Sequence, residues 1–277
     1  MHKIQGVFCA ALTPFNEDYS INNKMYLTHC RNLLSIGLDG LGVFGTTGEA
    51  NSLSIKQKIN AINFLVENKI QPNQLIVGTG LCSIQDSITI TKTASSIGAR
   101  AALVLPPFYY KNVTNEGVIN FYRSLIEGVK DENFLYILYN FPALSGITIN
   151  FEIIENLIKL YPNNVVGMKD STGDIDTMLK TIKYFNNFSV FSGSDSLAVK
   201  ICQHGGAGAI TATSNISGKL LCYLIKNFAN NSNIENFNEL QNLQEKIREI
   251  ATAQESISIL KAFLSIKESN ESWNRLL

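Results

Sequence analysis

The sequence predicts an α/β protein whose fold is a closed (β/α)8 TIM barrel with a short helical C-terminal extension. Eight short apolar runs alternate with longer segments of helical periodicity, which indicates parallel βαβ units. The 277 residues suffice for eight units of about 25–35 residues each. An open doubly wound sheet is the alternative. It usually carries a glycine-rich dinucleotide fingerprint after its first strand, where this chain has Leu12-Thr13-Pro14-Phe15.

The elements follow one another along the chain. The predicted strands are Gly6–Leu12, Gly40–Phe44, Gln74–Gly78, Ala101–Leu105, Phe134–Tyr139, Val165–Lys169, Phe188–Ser192 and Gly206–Thr211. The clearest predicted helices between them are Asn23–Leu34, Glu116–Val129 and Asp176–Tyr184, the last with Asp174 as its N-cap. All six prolines are expected in loops or at strand ends, because proline is excluded from helix interiors and central strands.

After the eighth strand the pattern turns helical, with predicted segments Ser217–Asn227, Ile234–Ile250 and Ala253–Ser265. The short polar stretch Asn230-Asn231-Ser232-Asn233 predicts a turn. We find no linker and no second core, so we expect one domain over residues 1–277. Its barrel covers about residues 1–228 and its C-terminal helices about residues 229–277.

Composition excludes several classes of partner. The 23 basic and 23 acidic residues cancel, so nothing favours a nucleic acid or an anionic membrane as partner. The five cysteines are scattered and odd in number, which is typical of free thiols in a reducing compartment. No apolar run reaches membrane-spanning length, and the first residues lack the pattern of a signal peptide. We therefore expect a cytoplasmic protein.

Lys169 is the most informative residue, because it ends the apolar run that starts at Val165. Strands of this kind are buried on both faces in a parallel sheet, where a charged amine is costly. Burial favours the neutral amine, which is the nucleophilic form. The alternative is a structural ion pair, for which Asp170 is the nearest carboxylate in the sequence. This run alone leaves both interpretations open.

Other predicted strands end in residues that suit the same chemistry. In a (β/α)8 barrel the active site lies at the C-terminal ends of the strands. There the chain has Gly45-Thr46-Thr47-Gly48-Glu49, Pro107-Phe108-Tyr109-Tyr110 and Tyr139-Asn140-Phe141-Pro142. The glycine-flanked threonines suit a carboxylate or phosphate, although an ordinary glycine-rich turn is the alternative. Two tyrosines beside a lysine and a threonine suit a proton relay, although strand-end tyrosines are more often packing residues.

The chemistry predicted from these residues is imine formation on a keto compound, with the amine as nucleophile and phenols as proton shuttles. The three histidines, His2, His29 and His204, do not have metal-ligand spacing, so we expect no metal. No cofactor is expected beyond a covalent imine on Lys169. No Ser–His–Asp set is visible either.

At these residues the chain resembles the dihydrodipicolinate synthase / N-acetylneuraminate lyase family of pyruvate-dependent class I aldolases. The resemblance runs from Gly6 to about Leu277. It rests on residues 45–49, on Tyr139-Asn140-Phe141-Pro142 with Ser145-Gly146, and on Gly167-Met168-Lys169-Asp170. It implies a pyruvate-dependent enzyme built as a homotetramer, a dimer of dimers.

The resemblance also implies a role for each matching residue. Lys169 corresponds to the Schiff-base lysine, and Tyr139 to the phenol that moves protons to and from the imine. Tyr110 corresponds to a tyrosine beside a subunit interface that completes a relay with Thr46 and Tyr139. The implied substrate-binding residues are Thr46, Thr47 and Gly48 at the pyruvate carboxylate and Ile210 at a main-chain contact to the pyruvate moiety.

Departures from the family pattern concern the second substrate. Leu144 stands where the synthase branch has an arginine for the second carboxylate of its aldehyde, and leucine cannot supply that charge-assisted contact. The lyase branch instead holds a polyol tail with an Asp-Glu pair, which is here Asp195 and Ser196. Ala212 stands where that branch has a tail-binding serine.

We therefore expect an aldolase or lyase that joins pyruvate to an aldehyde, acting on a 2-keto-3-deoxy sugar acid or an N-acetylneuraminate-like substrate. The first alternative is a 4-hydroxy-tetrahydrodipicolinate synthase, which condenses pyruvate with aspartate semialdehyde. The second alternative is a non-catalytic pyruvate or sugar-acid sensor, although a pure binder has no need of a reactive amine.

Overall fold

Eight parallel strands close into a barrel in the computed structural model, which describes residues 4–229, 236–253 and 255–276. They are β1 (Gly6–Ala10), β2 (Gly40–Val43), β3 (Leu75–Gly78), β4 (Ala101–Val104), β5 (Tyr136–Asn140), β6 (Val165–Asp170), β7 (Ser189–Ser192) and β8 (Gly208–Thr211). Neighbours in the chain are neighbours in the barrel, and β8 closes it by pairing with β1. The predicted fold class is confirmed.

Helices alternate with these strands. They are α1 (Asn23–Ser35), α2 (Ile55–Glu67), α3 (Ile84–Ser96), α4 (Asn115–Val129), α5 (Pro142–Ser145), α6 (Phe151–Leu160), α7 (Ile175–Tyr184), α8 (Asp195–Gln203), α9 (Ser214–Ala229), α10 (Phe237–Thr252) and α11 (Ser256–Glu268). The predicted cap of α7 is present, since Asp174 accepts hydrogen bonds from the backbone N–H groups of Asp176 and Thr177.

The structure corrects three predicted details. α9 begins at Ser214 instead of Ser217, because Ser217 is a kink inside the helix, with φ −120°. α11 begins at Ser256, not at residue 253. Pro72 and Pro142 do not lie in loops but begin short helices, where a missing N–H costs no hydrogen bond. The predicted turn at residues 230–233 and the predicted helix start at residue 234 lie outside the described residues.

The barrel interior and the helix layer are filled by alternate strand positions, as the pleat of a strand requires. The interior cluster contains Phe8, Ile76, Leu103, Ile137, Tyr139, Phe191 and Ile210. A larger cluster lies between the strands and the surrounding helices. Side chains in β5 and β6 therefore belong to one layer or the other according to their position along the strand.

The C-terminal segment packs over the end of β1. α10 contacts α8 and α9, and α11 contacts α10 and the turn that follows it. Trp273 in that turn is fully buried in a cluster with Leu12, Leu260 and Leu264. This packing brings the last described helix beside the loops that leave β1 and β2. No helix among the described residues is long and apolar enough to cross a membrane.

Candidate active site

The centre of the site is a contact between Lys169 and Tyr139. The two residues are register partners on β6 and β5, so the pleat sends both side chains to the same face. Lys169 Nζ lies 3.3 Å from Tyr139 Oη and 4.3 Å from the centre of its ring. Lys169 is 6% and Tyr139 is 4% exposed. A buried amine in contact with a phenol is equipped for nucleophilic attack with proton transfer alongside.

The ion-pair alternative for Lys169 does not hold in this structure. Asp170 points to the opposite face of β6, where its Oδ2 accepts a hydrogen bond from Asn140 Nδ2 at 2.9 Å. Its Oδ1 accepts from the backbone N–H and the hydroxyl of Thr172. Within the part of the chain that the structure describes, Lys169 forms no salt bridge. The contacts of the amine are instead with the hydroxyl and ring of Tyr139.

The predicted carboxylate clamp is a tight turn after β2. Phe44, directly before the turn, has φ +56°, a left-handed conformation that is rare for a bulky residue. The backbone N–H of Gly48 donates to the carbonyl of Gly45 at 3.1 Å, and that of Glu49 donates to the carbonyl of Thr46 at 3.0 Å. Thr13 Oγ1 fastens the turn to the β1 loop by donating to the Gly48 carbonyl at 2.9 Å.

The threonine hydroxyls of this turn remain available. Across residues 4–229, 236–253 and 255–276, neither the Thr46 nor the Thr47 hydroxyl has a hydrogen-bond partner. Thr47 is 8% exposed, so a ligand that reaches it must enter the barrel mouth. Two unpartnered hydroxyls on a rigid turn suit an anionic oxygen.

Thr46 and Tyr139 line one pocket. Its walls come from the ends of β2, β3, β4 and β5 and consist of Phe44, Gly45, Thr46, Ala50, Asn51, Gly78, Gly80, Leu103, Leu105 and Tyr139. The chain packs too tightly here for any side chain at Gly78 or Gly80. A Cβ would lie 2.1 Å from the carbonyl oxygen of Phe44 or 2.2 Å from that of Leu105, respectively. The pocket joins the turn after β2 to Tyr139, the partner of Lys169.

Ile210 lies in the barrel interior, on the last strand of the barrel. It is fully buried on β8 and belongs to the interior cluster that contains Tyr139. Its Cγ2 would be 3.4 Å from a Cβ on Gly42, so a glycine on β2 leaves room for it. Its predicted contact to pyruvate stays a prediction.

Two other predicted residues lie at the outer mouth. Tyr110 is 74% exposed, and its ring packs edge to face against Tyr109, 5.1 Å between centres. Among the described residues, no hydrogen bond or ring contact joins Tyr110 to Thr46 or Tyr139. Leu144 is 51% exposed on the short helix α5. Its position leaves a neutral, half-exposed side chain beside the mouth.

Sequence reasoning missed a cation at this mouth. Lys111 Nζ donates to the backbone carbonyl of Ser145 at 3.0 Å and to that of Phe108. It thereby ties the loop after β4 to α5, the helix that carries Leu144. The available signal was its position directly after Tyr109 and Tyr110.

The predicted tail-binding residues after β7 are arranged differently. Asp195 is fully buried as the first residue of α8. Its Oδ2 accepts hydrogen bonds from Thr213 and, at 3.2 Å, from Arg248 on α10. The Ser196 hydroxyl lies 2.9 Å from that of Ser194. Ser196 also lines a groove between α8 and α10. Within the described chain no hydrogen bond or ion pair joins Asp195 to the Lys169–Tyr139 pair.

Fold and site together define a (β/α)8 barrel with a buried amine and phenol suited to Schiff-base chemistry. The model of the dihydrodipicolinate synthetase family matches residues 3–274. The chain belongs to this family, whose members are carbon–carbon lyases of the aldolase class that form a Schiff base with pyruvate. Among the residues that the structure describes, no group of three or more His, Cys, Asp or Glu side chains could hold a metal ion.

Comparisons with individual proteins support the same family. An uncharacterised DapA-like lyase of Chloroflexus aurantiacus is 32% identical over 79% of this chain and 73% of its own length. A 4-hydroxy-tetrahydrodipicolinate synthase of Pelagibacter ubique is 34% identical over 84% of this chain and 76% of its own.

Two solved structures share the fold. CdNal of Clostridium difficile, in complex with mannosamine, superposes with a TM-score of 0.88 at 23% identity, covering 97% of this chain and 91% of its own. A 2-keto-3-deoxygluconate aldolase variant of Sulfolobus solfataricus gives 0.83 at 23% identity, covering 95% and 86%.

Proposed function

We propose that Lys169 is the Schiff-base lysine of this aldolase. Its neutral amine attacks the carbonyl carbon of the keto acid, and the carbinolamine loses water to give an iminium. The iminium accepts the electron pair of the broken C–C bond and becomes an enamine while the aldehyde leaves. Protonation and hydrolysis then release pyruvate and restore the amine. The observation that carries this proposal is the buried contact between Lys169 and Tyr139.

Tyr139 and the turn after β2 have separate tasks in this proposal. The Tyr139 phenol gives a proton to the departing water and takes one from the substrate hydroxyl as the C–C bond breaks. The Thr46 and Thr47 hydroxyls hold the pyruvate carboxylate, with Gly48 completing the turn. Support comes from the pocket that Thr46 and Tyr139 share.

A 2-keto-3-deoxy sugar acid, or an N-acetylneuraminate-like acid, is the proposed substrate. The observation that favours it is Leu144, which is neutral and half exposed at the mouth. A polyol tail needs hydroxyl partners but no counter-charge, and Ser194 and Ser196 offer hydroxyls near this end of the barrel. Asp195 stays in the proposal as a tail contact only if substrate binding releases its carboxylate from Thr213 and Arg248.

Borohydride reduction in the presence of pyruvate, followed by intact mass measurement, tests the Schiff base. We expect one pyruvate adduct on the wild type and none on Lys169→Ala. Lys58→Met is the matched control, because Lys58 is also buried but lies in α2. It should keep the full adduct. An undiminished adduct on Lys169→Ala, or none on the wild type, contradicts the proposal; the second result favours the sensor alternative.

A second candidate is the 4-hydroxy-tetrahydrodipicolinate synthase activity. The observation that favours it is Lys111, whose ammonium lies on the α5 turn beside Leu144 and forms no salt bridge among the described residues. A cation there is placed to meet the second carboxylate of aspartate semialdehyde. The name of the Pelagibacter ubique relative points the same way.

Competing turnover assays separate the two candidates. Pyruvate release from 2-keto-3-deoxygluconate and from sialic acid should exceed condensation with aspartate semialdehyde. Lys111→Met should leave sugar-acid turnover within about twofold. Faster turnover of the semialdehyde, lost in Lys111→Met, would instead establish the synthase.

The homotetramer and the relay through Tyr110 belong to the same proposal. Tyr109 and Tyr110 are 73% and 74% exposed at one loop tip. Large exposed aromatic side chains are typical of surfaces that a second protein covers. We expect light scattering to give four times the 30.6 kDa mass of the chain. A monomer with full activity would remove Tyr110 from the relay.

A further inference from the structure

Glu49 ends the carboxylate-binding turn in an unfavourable backbone conformation. Its φ of +55° and ψ of +36° are left-handed, which costs a non-glycine residue about 1–2 kcal/mol. Its side chain is 5% exposed. Such conformations persist where the surroundings hold them, and they cluster at functional sites. A contact made by Glu49 must therefore stabilise this backbone conformation.

The partner of Glu49 comes from the other end of the chain. Lys261 on α11 forms an ion pair with Glu49 through Nζ and Oε1, and its side chain is 1% exposed. The same Nζ donates to the backbone carbonyl of Arg275 at 2.7 Å and lies 4.2 Å from the centre of the Phe15 ring. The ammonium is thus held between the C-terminal segment and the β1 loop.

Because both charges are buried, the Lys261–Glu49 ion pair is stable only when its two charged groups stay in close contact. Two desolvated opposite charges repay their loss of hydration only when they are closely paired, so a displaced Glu49 would be costly. Glu49 is also joined to Thr46 directly, because its backbone N–H donates to the Thr46 carbonyl at 3.0 Å. A shift at Lys261 would therefore reach the threonine hydroxyls through one residue.

We propose that Lys261 is a positioning residue, which acts through Glu49 to hold Thr46 and Thr47 in the geometry that binds the pyruvate carboxylate. The inference rests on the proposed function of the turn. It gives the C-terminal helix α11 a part in substrate binding, although Lys261 itself does not touch the substrate. A purely structural ion pair would affect stability alone.

The test compares the dependence of borohydride trapping on pyruvate concentration in wild type and Lys261→Met. The pyruvate concentration for half-maximal trapping should rise about tenfold, a change of about 1.4 kcal/mol. The trapping rate at saturating pyruvate should stay within about threefold, because Lys169 and Tyr139 are untouched. Unchanged half-saturation in a less stable Lys261→Met protein would overturn the inference.

Arg275→Met is the matched control. Arg275 Nη1 also ties the C-terminal segment to the Phe15 carbonyl, at 3.3 Å, without contacting Glu49. This variant should lose stability while half-saturation stays at the wild-type value. An equal rise in half-saturation in Arg275→Met would show general loosening of the segment and overturn the specific role of Lys261.

Two further variants keep the outcomes separate. If Lys261→Met does not fold, Glu49→Gln carries the test. It removes the charge but keeps the shape, and we expect half-saturation to rise at least threefold; no rise overturns the inference.

In a Lys169→Met background, calorimetry of pyruvate binding reports the carboxylate clamp without the imine. Weaker binding on adding Lys261→Met supports the role. A wild type that neither traps nor binds pyruvate overturns the proposed function and the inference together.

Discussion

The ends of β5 and β6 and the ends of β7 and β8 carry similar polar residues but use them differently. At the first pair, Lys169 and Tyr139 meet inside the barrel, 3.3 Å apart. At the second pair, the Asp195 carboxylate is fully buried and bound by Thr213 and Arg248. One region brings an amine and a phenol together inside the barrel, and the other fastens α8 to α10.

The difference comes from where each residue stands relative to its strand. Lys169 and Tyr139 lie within paired strands, so the pleat decides the face of each side chain. Asp195 lies beyond the end of β7 and begins α8. Its direction is set by the helix and by Arg248, which comes from a distant part of the chain. The face of a residue within a paired strand can therefore be assigned from the sequence, whereas the direction of a residue beyond the strand end depends on the turn or helix that follows.

The largest expected effect is that of Tyr139→Phe. Loss of the phenolic proton carrier should lower kcat about 10²–10⁴-fold, while the ring still packs against Lys169. Pyruvate trapping by borohydride should continue at a reduced rate. Steady-state turnover and trapping on the same preparation check both points.

Tyr136→Phe is the control for that prediction. Tyr136 lies on β5 as well but faces the helix layer, and its hydroxyl has no hydrogen-bond partner among the described residues. Loss of the Tyr136 hydroxyl should leave kcat within about twofold of the wild-type value and should not reduce the free energy of unfolding. A similar loss of rate in both variants would mean that the strand, not the Tyr139 phenol, is responsible.

A smaller effect is expected at the other region. Asp195→Ala leaves Thr213 and Arg248 without their acceptor, so the free energy of unfolding should fall by roughly 1–3 kcal/mol. Ser196→Ala should change it by less than about 0.5 kcal/mol. Urea unfolding measures both. If Asp195→Ala keeps its stability but loses kcat/KM for a sugar acid, Asp195 is a tail-binding residue and the contrast between the two regions fails.

Periodicity made most of the fold predictable. Short apolar runs and amphipathic segments depend on local burial, and the strands were placed to within about two residues at their ends. The Lys169–Tyr139 pair is also predictable from the sequence, because both residues stand in short apolar runs. The helix that Pro142 begins cannot be predicted in this way, because its four residues are too short to show a period.

Contacts between distant parts of the chain could not be predicted. Lys261 pairs with Glu49 and Arg248 with Asp195, and both cations lie in C-terminal helices whose surface charges look alike in the sequence. Nothing local distinguishes a lysine that will be buried from one that stays in water. Only the packing of α10 and α11 against the loops of the barrel decides which carboxylate each one meets.

Lys58, a buried lysine outside both regions, sharpens the contrast further through its effect on stability. Lys58 is 1% exposed, and its Nζ donates to the Ala50 carbonyl at 3.1 Å. Burial lowers the pKa of Lys58 from 10.5 to about 8, so between these values the unfolded chain binds a proton that the folded chain has lost. Stability from this group therefore rises with pH over that window, and the full burial cost is present below about pH 8. Lys58→Met removes this cost, which a shift of that size puts at roughly 3 kcal/mol, but it also leaves the Ala50 carbonyl without its donor. Its free energy of unfolding should therefore exceed that of wild type by roughly 1–2 kcal/mol at pH 7 and depend less on pH between 8 and 10. Urea unfolding at pH 7, 8, 9 and 10 checks this, and equal slopes for both proteins would mean that Lys58 keeps its proton in the fold.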